Sequence, residues 1–133
     1  MSDPDRELTS VAPELFIPDV EAAVRFYVER LGFTLLRQEG QGADATFAVV
    51  ALGPATVLLA HDSHYGAMGG TLSDPRGIGL DVRIMVPDVD AIERRARAND
   101  VPIVHPIADR YYALRDFIVR DPHGYRIRFA SPS

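Results

Sequence analysis

Few side chains in this sequence could do chemistry unaided. None of its 133 residues is cysteine, which excludes thiolate nucleophiles, thiolate metal sites and disulfides. Four histidines remain as proton-transfer groups or metal ligands: His61, His64, His105 and His123. His61, Asp62 and His64 could together improvise a metal site, but clustering in a loop is a weak signal for one. His64 sits in a glycine-rich stretch, His105 precedes Pro106, and His123 is the variable residue of a turn, Asp121-Pro122-His123-Gly124. His61 ends the mainly apolar run Ala55–Ala60 and is the one histidine connected here with a ligand; the competing reading is a strand end in solvent. Tyr111 and Tyr112 lie in a loop, where one could stack on a flat ligand and either could simply pack on a sheet edge. Arg94, Arg95 and Arg97 read as a solvated helix face.

The elements that must position these groups come as a repeat. Ile17-Pro18-Asp19-Val20-Glu21-Ala22 recurs as Val86-Pro87-Asp88-Val89-Asp90-Ala91, with Asp19 and Asp88 69 residues apart. Each copy follows an alternating run and precedes a helical pattern. The proline ends the strand, and the aspartate is a favoured N-cap for the helix. After the first corner the pattern predicts a helix from Val20 to about Leu31 and strands over Thr34–Gln38, Thr46–Leu52 and Ala55–His61, the last two joined at Gly53-Pro54. After the second it predicts a helix from Val89 to Ala98 and strands over Pro102–Val104, Asp116–Val119 and Tyr125–Ala130, with a loop over Ala108–Ala113. The fold class is therefore α+β: two tandem βαβββ modules, about 11–62 and about 80–130, within a single domain of 1–133, joined by a glycine-rich connection at 63–79.

Bulk properties narrow the function classes. The composition is 47% hydrophobic and 25% charged, that of an ordinary globular chain. The net charge of −5, with all 14 basic residues arginine, gives no support for a nucleic-acid partner. No apolar run approaches the roughly 20 residues that span a bilayer. Met1 to Ser10 is polar and acidic, a loose tail rather than a signal peptide, so a cytoplasmic location and no membrane partner are expected.

Asp19-x-x-x-Ala23 running into Arg25-Phe26-Tyr27 and Leu31-Gly32-Phe33, together with the closing Asp121-Pro122-x-Gly124-x-x-Ile127, resembles the glyoxalase / bleomycin-resistance / extradiol-dioxygenase superfamily, also called vicinal oxygen chelate. The resemblance covers nearly the whole chain. It implies that the two curved sheets form a cup holding metal and ligand, and that the protein is a homodimer. The family's metal positions align here with Ala12, Leu59, Asp81 and Arg128, and the 69-residue offset relates 12 to 81 and 59 to 128. Alanine and leucine donate nothing, and a guanidinium stays charged. The resemblance therefore points to the metal-free, bleomycin-resistance-like members, with no metal and no cofactor. It implies a small-molecule binder that sequesters an antibiotic or another flat, partly apolar ligand. Asp81 and Arg128 are expected to face one another. Strand parity from the aligned positions places Glu14, Phe16, Val57, His61, Arg83, Met85 and Arg126 in the cup as well, with Leu15, Leu58 and Ile127 against the helices. The expected ligand contacts are Arg128, Asp81, Phe16, Leu59, His61, Arg83, Met85 and Tyr112. Two alternatives stand beside this reading: a metal-dependent lyase or dioxygenase with displaced ligands, and a metal-free enzyme using His61 or Glu14 as acid/base.

Overall fold

The computed structural model describes residues 10–133. The expected tail, Met1 to Ser10, lies outside them except for Ser10. The chain runs β1 (Glu14–Ile17), α1 (Val20–Arg25, continued by a π-helical turn Phe26–Arg30), β2 (Thr34–Glu39), β3 (Phe47–Leu52), β4 (Ala55–His61), α2 (Asp62–Ala67), β5 (Asp81–Met85), α3 (Val89–Ala98), β6 (Ile103–Asp109), β7 (Leu114–Arg120) and β8 (Arg126–Pro132). Two four-stranded mixed sheets result, ordered β1-β4-β3-β2 and β5-β8-β7-β6. In each, the first strand pairs parallel with the fourth and the others pair antiparallel.

The repeated corners form for the reason their residues suggest. Asp19 Oδ1 accepts the Ala22 N–H at 3.0 Å, and Asp88 Oδ1 accepts that of Ala91 at 3.1 Å. Three segments differ from the sequence expectation. The connection contains a helix, α2, because the His61 imidazole caps it by accepting the Ser63 N–H at 3.1 Å. Strand β6 extends to Asp109 through the stretch expected to begin a loop. It is an edge strand with two register shifts, which is where a proline such as Pro106 is tolerated in a sheet. Strand β8 runs to Pro132 because Leu114 and Arg115 of β7 extend the pairing.

The buried residues of both modules form one core, from Leu15 and Ile17 through Tyr27 and Phe33 to Phe117, Ile127 and Phe129. The two most recognisable motifs meet inside it. Tyr27, fully buried, donates to Asp121 Oδ2 at 3.0 Å, and Asp121 Oδ1 accepts the backbone N–H groups of His123 and Tyr125. Burial raises the Asp121 carboxyl above the ordinary range, and these hydrogen bonds only partly oppose that. Tyr125 extends the junction: its hydroxyl donates to Phe16 O at 2.9 Å and accepts the Phe16 N–H at 3.2 Å, occupying hydrogen-bonding groups of the edge strand β1. Gly124, at φ +106, lets the connection pass; a Cβ there would lie 3.1 Å from the Arg76 backbone. These residues hold the scaffold together and do not present a site.

Candidate ligand site

Residues paired across neighbouring strands project from the same face of a sheet. In the second sheet Asp81 lies opposite Arg126, Arg83 opposite Arg128, and Met85 opposite Ala130, while Ile118 and Asp116 of β7 continue the rows from Arg128 and Ala130. The opposite face carries Val82, Ile84, Phe117, Val119, Ile127 and Phe129 and belongs to the shared core or packs against it. The expected inward parity of Asp81, Arg83, Met85, Arg126 and Arg128 matches this arrangement.

The first sheet requires a correction. Leu15 pairs with Leu59 and Ile17 with His61, whereas Glu14 pairs with Leu58 and Phe16 with Ala60. Leu59 is therefore on the core side, 0% exposed, and Leu58 shares the open face with Glu14 and Phe16. Val57 is likewise a core residue, and His61, on the same parity as Leu59 and opposite Ile17, ends the strand and caps α2. The reason is a change of offset. Glu14 corresponds to Arg83 at a spacing of 69, but Leu58 corresponds to Arg128 at a spacing of 70. One extra residue between the first and fourth strands of the second module turns every side chain of β4 to the other face relative to the uniform-offset expectation. On the open face Phe16 meets the ring of Tyr65 from α2, edge-on at 4.9 Å.

The open face of the second sheet carries a polar network. Arg128 Nη2 donates to Asp81 Oδ2 at 3.0 Å, and Arg126 Nε donates to Asp81 Oδ1 at 2.7 Å. Asp81 and Arg128 do face one another. Arg128 Nη1 reaches further, to Asp116 Oδ2 at 3.0 Å and to the Tyr112 hydroxyl at 3.2 Å. Tyr112 donates to Asp116 Oδ2 at 2.6 Å, and Arg110 Nε to Asp116 Oδ1 at 2.8 Å. The β6–β7 hairpin places these last two donors: Arg110 N–H bonds Leu114 O at 2.8 Å, and Ala113 turns the chain at φ +64. Tyr111, at the hairpin tip, is fully exposed.

Asp116 is the central residue that sequence reasoning did not select. Its signal was a charge opening the apolar run Phe117-Ile118-Val119, which demands a buried cationic partner. Burial pushes the Asp116 carboxyl up, but hydrogen bonds from Tyr112, Arg110 and Arg128 outweigh it and hold the carboxyl below the ordinary value. In Asp81 the same upward push is overcome by hydrogen bonds from Arg128 and Arg126. Arg83, by contrast, is exposed and makes no ion pair or side-chain hydrogen bond among the described residues.

The donors do not suit a divalent cation. Ala12 and both candidate leucines offer none, and the carboxylate of Asp81 already accepts from two guanidiniums. Among the described residues no three His, Asp or Glu side chains converge elsewhere, and Asp62, beside His61 and His64, is held by a two-pronged ion pair with Arg76.

A family model for the glyoxalase/bleomycin resistance protein/dioxygenase superfamily matches residues 8–129, and the chain belongs to that superfamily. A bleomycin resistance protein of Geobacillus stearothermophilus is 27% identical over 128 residues, covering 88% of this chain and 92% of the relative. The crystal structure of TioX from Micromonospora sp. ML1 superposes with a TM-score of 0.74 at 27% identity, covering 94% of this chain and 99% of that one. A bleomycin-binding protein from Streptomyces verticillus, complexed with copper(II)-bleomycin, shares the fold with a TM-score of 0.64 at 24% identity, over 95% and 98% of the two chains.

Proposed function

We propose that this protein is a metal-free small-molecule binder that sequesters a flat, partly apolar ligand on the open face of its second sheet. The observation that carries the reading is Arg128, a guanidinium clamped between Asp81 and Asp116 where the family's metal enzymes carry a donor. The network leaves the face polar and rigid, while Met85, half exposed, and Tyr112 supply apolar surface beside it. Kinship to bleomycin resistance proteins supports sequestration over turnover. The purified protein, expressed with zinc or iron supplementation, is expected to carry no stoichiometric transition metal by elemental analysis. A thermal-shift screen of flat antibiotics and of acidic, neutral and basic aromatic compounds is expected to yield hits that raise Tm with concentration. One tightly held ion per chain, or a screen with no hits, would overturn the reading.

The protein is further proposed to be a homodimer in the cytoplasm. Ile78 and Met68 are large apolar side chains at 83% and 71% exposure, surface that a second copy would cover. Light scattering is expected to give twice the chain mass, and a monomer at micromolar concentration would contradict this. No described helix is long and apolar enough to cross a membrane.

A further inference from the structure

A cavity of about 400 Å3 opens where the free edge of β5 meets the chain leading into β1 and the β3–β4 turn. Its wall includes Val11, Pro13, Ala55 and Leu80 together with Asp81 and Arg83. The volume falls within the range of about 300–1,000 Å3 usual for small-molecule sites. The charges on the open face of the second sheet, of which Asp81 and Arg83 belong to the wall, are unequal in number and in commitment. Guanidiniums of Arg83, Arg110, Arg126 and Arg128 stand against the carboxylates of Asp81 and Asp116. Among the described residues every one of those guanidiniums except Arg83 has a carboxylate partner, and Arg128 has two. Asp81, the one acid among the described residues of the cavity wall, is neutralised by Arg126 and Arg128, so it does not repel an incoming anion with its full charge. Glu14, on the open face of the first sheet, is not part of the wall.

We propose that this cavity takes an amphipathic monoanion, an apolar body carrying one carboxylate or similar group, and that Arg83 is the residue that holds the anion. The assignment rests on the small-molecule-binding reading above and names its ligand class. It moves the principal contact from Arg128, whose donors are already directed at protein oxygens, to the neighbouring Arg83 in the same cross-strand row. The planar fork of Arg83 can meet a carboxylate with two parallel hydrogen bonds, a geometry that lysine cannot reproduce. A cationic ligand would meet an unopposed guanidinium at the same place.

The test is a calorimetric titration of the full chain with 2-naphthoate and its neutral counterpart 2-naphthamide, repeated on Arg83→Ala and Arg83→Lys. The acid is expected to bind about tenfold or more tighter than the amide, from the strength of charge-assisted hydrogen bonds. Arg83→Ala should weaken the acid by about ten- to a hundredfold and leave the amide unchanged, with Arg83→Lys in between. Arg83 is exposed and makes no ion pair among the described residues, so both variants are expected to unfold at the wild-type midpoint. Equal binding of acid and amide, an acid unaffected by Arg83→Ala, or no binding of the acid would each overturn the inference. Hits confined to neutral and basic members of the screen would overturn it while leaving the binder reading intact; a screen without hits would remove both.

Discussion

Replacing Asp116 by Asn is expected to destabilise the protein by roughly 2–4 kcal/mol, because a buried charge network loses its common acceptor. The Asp116 side chain is 0% exposed and receives Arg110, Arg128 and the Tyr112 hydroxyl. Asparagine fills nearly the same volume, but it puts an NH2 group where a carboxylate oxygen accepted. Donor then faces donor at the centre of the open face, Arg110 loses its counter-charge, and Arg128 keeps only that of Asp81. Urea unfolding should show a lower midpoint with an unchanged slope, since the core and the area buried are the same. A change smaller than about 0.5 kcal/mol, the ordinary range for a surface substitution, would mean that the network is too well solvated to matter.

The same variant should alter the acid limb of stability. Asp81 and Asp116 both have folded pKa values below their ordinary range: burial raises each, and the hydrogen bonds they accept outweigh it. A depressed carboxyl contributes stability that is fully present above its unfolded value, about 3.9, and lost as pH falls through the folded one. Wild-type protein should therefore lose stability below about pH 4 more steeply than Asp116→Asn, which retains only the Asp81 contribution. Asp121 acts in the opposite sense. Its raised carboxyl contributes stability that is present below about pH 3.9 and lost as pH rises through the folded value. Both proteins share it, so it cancels in the comparison. Parallel acid limbs in the two proteins would contradict the assignment of Asp116 as an ionised, paired carboxylate.

Leu59→Ala and Leu58→Ala are expected to differ sharply although the residues are neighbours. Leu59 is fully buried beside Leu15 and opposite Ala48, within the core cluster, and its truncation should cost about 2–5 kcal/mol. Leu58 projects to the open face with Glu14 and Val49, is only partly buried, and its truncation should cost less than about 1 kcal/mol. The reverse order of stabilities would restore the uniform 69-residue alignment and return Leu59 to the cup.

What the residues determined locally needed no tertiary information. The Pro-Asp corners at Asp19 and Asp88 form because a proline and an N-capping carboxylate act on their immediate neighbours. The helical stripe beginning at Val20 and the strands of the first module follow from periodicity that burial on one side imposes. The facing of Asp81 and Arg128 was also legible, because β5 and β8 pair in parallel with Arg83 opposite Arg128 and no shift intervenes. The face of β4 was not legible. It depends on one residue of difference between the modules, and a sheet has a period of two, so a single insertion exchanges core for cup. The sequence left His61 equally open, and its role was decided by a Ser63 N–H that becomes available only when α2 forms. Tertiary structure alone brought Asp116 under Arg128, Arg110 and Tyr112, side chains from β8 and the β6–β7 hairpin that no linear spacing relates. It also left Arg83 without a carboxylate among the described residues: Asp81 lies two residues away on the same face, and the parallel strand β8 supplies two other arginines that take it.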